Sequence, residues 1–220
     1  MTDPAVRVQP LDPSDRWLDI SRPLAPGIPV WPGDRPFELE QKRANGMVLS
    51  AISTTCHVGT HVDADLHMEG AGAAVESIPL ERLVGPAEVV RATGRPRRVG
   101  FEHLPAGWTP AAPRILVRTD SHPADARTVG AGLSGLAVEL VHGLADRGVV
   151  LVGIDSPSVD PFDSTDPESH HALALRTMTW IEGLLLEAVE PGLYDLVALP
   201  MPLVGAEASP VRAILRPRSC

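Results

Sequence analysis

The sequence predicts a single domain of the α/β or α+β class. Its length of 220 residues suits one domain. Apolar runs of strand type alternate with segments of helical periodicity, and no repeat with a period of about 20–50 residues is present. Hydrophobic residues make up 44% of the chain, which is enough for one packed core. Residues 1–16 are polar and interrupted by proline, so we expect a loose N-terminal arm there.

The first half of the domain is expected to consist of short strands and a long loop. A strand is predicted at residues 17–20, and the proline- and glycine-rich residues 23–36 are expected to form an extended surface loop. Residues 48–56 are rich in β-branched side chains, which favours a strand. Residues 78–84 are expected to form one or two helical turns, followed by a strand at residues 87–91.

The second half contains the clearest helix, predicted over residues 134–147. Four apolar side chains share one of its faces at helical spacing: Leu136, Leu140, Val141 and Leu144. Gly148 is expected to end the helix, and the apolar run at residues 149–154 is typical of a fully buried strand. Ser169 could cap a further helix beginning at His170. The remaining strands are predicted at residues 115–118, 194–199 and 211–215.

Charge and cysteine usage exclude several classes of protein. The net charge of −9 argues against a nucleic-acid or anionic membrane partner, because both bind basic surfaces. Cys56 and Cys220 are too few for a disulfide framework or a thiolate zinc site. The first 15 residues lack the apolar core of a signal peptide, and no apolar run reaches about 18 residues. We therefore expect a soluble, cytoplasmic protein.

The strongest functional signal is a cluster of histidines and carboxylates. The segment His57-Val-Gly-Thr-His61-Val-Asp63-Ala-Asp65-Leu-His67 contains the usual ligands of zinc in sites without thiolate. A fully extended chain would place His57 and His61 roughly 13 Å apart, so the chain must curl between them if they share an ion. His61 and Asp63 would face the same way on an extended stretch. The sequence therefore predicts a metal-binding loop that follows a strand.

Other titratable residues give weaker signals. Structural roles are expected for three isolated histidines: His103, His122 and His142. A second candidate group consists of His170, His171 and Glu182. Residues 170 and 182 would lie about 120° apart on a helix, so helical spacing does not place them on one face. Sequence spacing alone therefore does not connect this second group to the first cluster. Taken alone, Glu182 is expected to be a surface charge.

The histidine cluster resembles the signature of the cyclase family, which includes the bacterial kynurenine formamidases. Its most specific part is His57-x-Gly-Thr-His61-x-Asp63-x-x-x-His67. Other segments fit in the same order: residues 30–34, 153–160, 169–171, 181–184, 194–200 and 209–213. The resemblance spans roughly residues 17–217, which we assign to one metal-dependent hydrolase domain. It implies an α/β fold of the swivelling β/β/α type, with a small mixed β-barrel-like sheet and flanking helices, and a homodimer.

The resemblance also implies a ligand set for two zinc ions. One would be bound by His57, His61 and Asp63, and the second by Asp63, His170 and Glu182, with both carboxylates shared. Manganese is also compatible with such ligands. His170 is preferred to the adjacent histidine because its offset to Glu182 is that of the family.

Three further positions carry expectations from the same resemblance. His67 matches the proton-transfer histidine of the family, and Trp31 matches its substrate-contacting tryptophan. Asp65 departs from the family pattern, which usually has proline there. The implied reaction is hydrolysis of an aryl formamide, N-formyl-L-kynurenine, to L-kynurenine and formate in tryptophan degradation.

Several alternatives stay open at this point. Isatin hydrolases and natural-product cyclases or dehydratases share the metal signature. The segment Gly130-Ala-Gly132-Leu-Ser-Gly135, with Asp155 further along, resembles a dinucleotide fingerprint and would indicate an NAD-dependent oxidoreductase. The polar residues 121–128 predict no strand leading into these glycines, which argues against that interpretation. A non-catalytic metal-binding protein is the third class, and it would leave His67 without a role.

Overall fold

A closed ring of strands organises residues 16–68 and 72–218, which the computed structural model describes. The strands are β1 (Leu18–Asp19), β2 (Glu38–Ala44), β3 (Met47–Ser53), β4 (His61–Asp63), β5 (Val84–Arg91), β6 (Arg98–Val99), β7 (Arg114–Arg118), β8 (Gly135–Leu136), β9 (Leu151–Ile154), β10 (Thr179–Glu182), β11 (Gly192–Pro200) and β12 (Ala208–Pro217). The helices are α1 (Leu80–Leu83), α2 (Val138–Ala145) and α3 (Glu168–Leu175). The expected arm, apart from Arg16, and Cys220 lie outside the described residues.

The main sheet has the strand order β1-β12-β11-β5-β7-β9-β10-β4. Strand β4 pairs with both β10 and β12, so seven strands close into a barrel. Strands β5, β7, β9 and β10 are parallel, whereas the other neighbours in this sheet are antiparallel. The expectation of a mixed, barrel-like sheet in an α/β domain is confirmed.

Two apolar layers explain why the central strands are hydrophobic on both faces. Leu116 of β7 belongs to the layer formed by side chains from all around the barrel. Its neighbours Ile115 and Val117 belong to a second layer, which packs against α2 and α3. Successive side chains of a strand point to opposite faces, so a strand between two such layers carries a continuous apolar run.

Most predicted elements are present, with shifted boundaries. The predicted helix over residues 134–147 is shorter, because Gly135 and Leu136 form β8, which pairs with β6. A side chain at Gly135 would lie 2.5 Å from the carbonyl oxygen of Val159, so this tight approach requires glycine. The expected cap by Ser169 is wrong, since Ser169 lies within the first turn of α3.

Five strands were not predicted: β2, β4, β6, β8 and β10. Strand β2 has the mostly polar sequence ELEQKRA and is exposed throughout. Strand β10 has only four residues, too few for a clear periodicity. None of the helices in residues 16–68 and 72–218 has the length and hydropathy that crossing a bilayer requires.

The hairpin formed by β2 and β3 is separate from the barrel and exposes apolar side chains on both faces. Its register places Leu39 opposite Ile52 on one face and Lys42 opposite Leu49 on the other. Leu49 is 73% exposed and Met47 is 68% exposed. A two-stranded hairpin is marginal by itself in water, and these exposed apolar side chains, mostly from β3, would be stabilised by further packing.

Candidate active site

A cavity of about 270 Å³ lies where the loops after β1, β3 and β9 meet the ends of β4 and β10. Its wall contains most of the residues singled out in the sequence: Trp31, His57, His61, His67, His170 and Glu182. Asp63 is buried beside them. The two groups that sequence spacing could not connect are therefore neighbours in the fold.

The pairing of β4 with β10 brings the two groups together. Glu182 lies directly opposite His61, and Trp180 lies opposite Asp63. Directly opposed residues share a face, and residues two apart on a strand share it as well, so these four side chains lie on one face. The intervening Ile181 packs into the barrel layer instead. The expectation that Glu182 alone is a surface charge is wrong: it is only 3% exposed.

Two carboxylates form the centre of the cluster. The Oδ1 atom of Asp63 lies 3.1 Å from His57 Nδ1 and 3.5 Å from His61 Nε2. Glu182 spans two histidines, with Oε2 3.2 Å from His61 Nε2 and Oε1 3.3 Å from His170 Nε2. The His170 Nε2 atom also lies 3.9 Å from Asp63 Oδ2. Both carboxylates are thus arranged so that each could be shared between two ions.

Helix α3 supplies His170, and Asp160 fixes its position. The Asp160 carboxylate accepts hydrogen bonds from the backbone N–H groups of Ser169 and His170, at 3.1 and 3.2 Å. It also lies 2.8 Å from His170 Nδ1, which directs Nε2 towards Glu182. Arg98 donates to the other Asp160 oxygen at 2.9 Å. His171 points elsewhere: its side chain is 61% exposed and lies near Asp166.

Each of the three histidines has an acceptor on the side away from the carboxylate centre. His57 Nε2 lies 3.4 Å from a Glu207 oxygen, and His61 Nδ1 lies 3.2 Å from the carbonyl oxygen of Gly59. For His170 the corresponding acceptor is Asp160. Histidines that ligate metals typically donate their second N–H in this way, which fixes the tautomer and the ring orientation.

Two buried atoms in the centre lack hydrogen-bond partners among the described residues. These are His61 Nε2 and Asp63 Oδ1. Leaving a buried polar atom unpaired costs about 1–3 kcal/mol, and more for a charged group. A divalent cation would satisfy both atoms at once, since imidazole nitrogen and carboxylate oxygen are its normal ligands. The donor set therefore fits a metal ion.

The electrostatics match this interpretation. Burial lowers the pKa of His57, but the close and negatively charged carboxylate of Asp63 outweighs it and raises that pKa to about 9. Burial likewise lowers the pKa of His170, yet Asp160 and Glu182 raise it to about 10. Although burial opposes this shift, the nearby imidazoles hold the pKa of Asp63 below its usual range. The carboxylates thus create a strongly negative centre that holds positive charge.

His67 differs from the other histidines in its electrostatics. Burial lowers its pKa, and the attraction of Asp63 does not reverse the shift because His57 and His170 repel the imidazolium. Its ring centroid lies 4.4 Å from that of His57 and 5.4 Å from that of His170. At neutral pH this imidazole is neutral and can accept a proton.

The cavity wall beyond the cluster is aromatic and apolar at one end. Trp31 lies in the predicted loop before β2, and its ring centroid is 5.2 Å from that of Phe162. A planar ring of a ligand could stack there. Asp65 does not line the cavity, and its side chain forms no ion pair with the described residues.

The sequence alone did not identify two further residues at the site, Trp180 and Asp160. Trp180 Nε1 donates a 2.8 Å hydrogen bond to Asp63 Oδ2. The alternation in Thr-Trp-Ile-Glu places Trp180 on the face of Glu182, and this was the available signal. Asp160 ends the segment at residues 153–160, which matches the family pattern but gives no sequence signal for a role of this carboxylate.

The glycine-rich segment lacks the strand–turn–helix structure of a dinucleotide fingerprint. In the described chain, residues 119–134 contain no strand that could lead into the glycines, and Gly135 itself belongs to β8. The first glycine of such a motif normally follows a strand directly.

A sequence model of the family described as Putative cyclase matches residues 18–161. This chain belongs to the cyclase family. It is 40% identical over 204 residues to the kynurenine formamidase of Salinibacter ruber, covering 90% of this chain and 96% of that relative.

Solved structures of other proteins share the fold. One, described as a potential metal-dependent hydrolase with cyclase activity, superposes with a TM-score of 0.79 at 29% identity, over 93% of this chain and 99% of the other. Isatin hydrolase A from Labrenzia aggregata superposes with a TM-score of 0.75 at 23% identity, over 92% of this chain and 93% of the other. The latter likeness is evidence of the fold alone.

Proposed function

We propose that the protein is a metal-dependent arylformamidase that hydrolyses N-formyl-L-kynurenine to L-kynurenine and formate. One observation carries this proposal: Asp63 and Glu182 lie in contact with three histidines at one end of a cavity, and the other end of that cavity is aromatic. The similarity to curated kynurenine formamidases supports the choice of substrate.

The residues proposed to hold the metal are His57, His61, Asp63, His170 and Glu182. Their arrangement suits two ions, with the two carboxylates shared. Zinc is the proposed metal, because these ligands and a buried, thiolate-free site are typical of catalytic zinc. When bound, such a metal would lower the pKa of water and polarise the formyl oxygen.

His67 is proposed to transfer the proton. As a neutral imidazole beside the cluster, it can accept a proton from the attacking water and deliver it to the leaving aniline nitrogen. Without that proton the tetrahedral intermediate would revert to the amide. Trp31 is proposed to stack on the aryl ring of the substrate and so position the formamide over the cluster.

A substrate panel tests the proposal. Purified protein with measured metal content is assayed with N-formylkynurenine, isatin and formanilide. We expect hydrolysis of N-formylkynurenine with the highest kcat/KM, and its loss in His170→Ala. The matched control is His171→Ala, whose side chain is exposed and directed away from the cluster. Preference for isatin, or full activity of His170→Ala, would contradict the proposal.

The protein is further proposed to act as a homodimer held by the β2–β3 hairpin. Both faces of this hairpin expose large apolar side chains in the single chain, mostly from β3, and a second copy would cover them. Light scattering should give the mass of a dimer for the wild type and of a monomer for Leu49→Glu. Val204→Glu is the control, because Val204 is an 88% exposed apolar residue outside the hairpin. A monomeric wild type would contradict the proposal.

A further inference from the structure

A buried arginine lies in the wall of the same cavity. Arg22 is only 9% exposed and is the one arginine or lysine among the described residues that line this cavity. Its backbone N–H donates to Thr60 Oγ1 at 2.9 Å, directly before His61 in the chain. The arginine is therefore fixed to the segment that carries the histidine cluster.

The guanidinium of Arg22 is held in place by neutral acceptors. Nη1 donates to the carbonyl oxygen of Pro123 at 3.1 Å, and Nη2 donates to that of His122. Nε is buried and makes no hydrogen bond to the described residues. These contacts fix the orientation of the guanidinium and use one N–H of each terminal nitrogen, so the second N–H of each is left for a ligand.

No carboxylate of the described chain lies within ion-pair distance of Arg22. Burial lowers the pKa of Arg22, while the more distant charges of Asp155 and Glu187 raise it. The group stays charged at physiological pH because an arginine pKa is so high. Burial, together with the adjacent Arg22 charge, lowers the pKa of His122 to about 4, so this imidazole adds no second positive charge.

A buried cation without a contacting anion is unfavourable for folding alone. In a ligand cavity it becomes favourable when the ligand brings a negative group, because guanidinium binds carboxylate through paired N–H donors. The proposed substrate has such a group. Its formamide is at one end, its aryl ring in the middle and an α-amino acid carboxylate at the other end.

We infer that Arg22 is a specificity residue that binds the α-carboxylate of the substrate. This inference rests on the proposed function, since it assigns the substrate's second end within the same cavity. The histidine cluster would then act on the formamide and Trp31 on the ring, while Arg22 selects aryl formamides that carry an anionic side chain.

The test compares two substrates. One is N-formylkynurenine, and the other is N-(2-acetylphenyl)formamide, which keeps the formamide and the aryl ketone but lacks the amino acid. For Arg22→Met and Arg22→Gln, kcat/KM for N-formylkynurenine divided by kcat/KM for N-(2-acetylphenyl)formamide should fall at least about tenfold relative to the wild type. This is the usual effect of losing a charge-assisted hydrogen bond. Arg91→Met is the control, because Arg91 lines a neighbouring cavity and pairs with Asp120. It should leave the ratio unchanged within about twofold.

Equal losses for both substrates would overturn the inference, because they would mean that Arg22 only supports the cavity wall. A shift of the same size in Arg91→Met would overturn it too, since a general charge effect would then suffice. Should neither Arg22 variant fold, calorimetry on the wild type decides: kynurenine should bind at least about tenfold more tightly than 2-aminoacetophenone, and equal binding would overturn the inference. A wild type that hydrolyses neither formamide would instead refute the proposed function.

Discussion

The indole N–H of Trp180 donates a 2.8 Å hydrogen bond to the Oδ2 atom of Asp63, and both side chains are buried. The bond joins β10 to β4 across their register, where these two residues are directly opposed. It occupies one Asp63 oxygen and leaves Oδ1 directed at His57 and His61. Trp180 therefore fixes the orientation of the carboxylate at the centre of the proposed metal site.

Replacing this indole should weaken metal binding more than it weakens the fold. Phenylalanine at position 180 would keep most of the ring packing but remove the N–H donor. Loss of such an outer contact to a ligand typically reduces metal affinity by about 10–100-fold. We expect that reduction for Trp180→Phe in competition titrations with a chromogenic chelator.

Trp108→Phe is the matched control for Trp180→Phe. Trp108 Nε1 donates to Glu88 at 2.7 Å, a bond of the same kind outside the cavity. This variant should bind metal like the wild type. Equal metal affinity for all three proteins would show that the Trp180 bond does not support the site.

Removal of metal should lower the thermal stability. A ligand present at about 100 times its dissociation constant stabilises the folded state by about 2.7 kcal/mol. For a chain of this size that corresponds to about 5–10 °C in Tm. We expect a drop of this order when the wild type is treated with chelator, and little further drop in Asp63→Ala, which should already lack metal and activity. Full metal occupancy in Asp63→Ala would remove Asp63 from the ligand set.

The first part of the cluster could be predicted because its residues are close in sequence. His57, His61 and Asp63 lie within seven residues, so local geometry is enough to connect them. Glu182 joins them only through the antiparallel pairing of β4 with β10, which periodicity cannot show for strands of three and four residues. The resemblance to the cyclase family supplied this long-range connection.

The fold shows the same division between local and non-local information. The apolar run of β9 predicted a buried strand, since that run reflects two packed faces. Strand β2 carries mostly polar side chains and forms only by pairing with β3, so its own pattern gave no signal. The cap of α3 comes from Asp160, which lies eight residues before the helix begins, so a rule based on adjacent residues selected Ser169 instead.

His67 should contribute to chemistry more than to metal binding. A general acid–base residue typically increases the rate of the catalysed reaction by about 10²–10⁴-fold. For His67→Ala we expect a fall of kcat in this range, with metal content close to that of the wild type. Metal analysis on the same preparation used for kinetics checks both parts. If metal were lost in step with activity, His67 would be a ligand and not the proton-transfer residue.

Asp160 should govern the proposed binding of a metal ion by His170. Asparagine at position 160 keeps an oxygen near His170 Nδ1 but removes the negative charge that holds this imidazole and Arg98. We expect Asp160→Asn to weaken one of two binding events by about 10–100-fold in calorimetric titrations, while the other is retained. Asp163→Asn is the control, because Asp163 is a nearby exposed carboxylate paired with Arg97. Equal weakening of both events would contradict a role confined to His170.

Asp65 tests whether the departure from the family pattern changes the chemistry. Asp65 is the first residue of a 3-10 turn, where proline is well tolerated, and its backbone N–H donates to none of the described residues. The preceding Ala64 is already extended, with φ −104° and ψ 164°, as a residue before proline requires.

Asp65→Pro should therefore be neutral, or stabilise the fold by up to about 1 kcal/mol because proline lowers the conformational entropy of the unfolded chain. Because Asp65 does not line the cavity, kcat/KM should stay within about threefold of the wild type. Thermal melts and kinetics of this single variant check both expectations, and a large fall in kcat with an unchanged Tm would mean that Asp65 belongs to the active site.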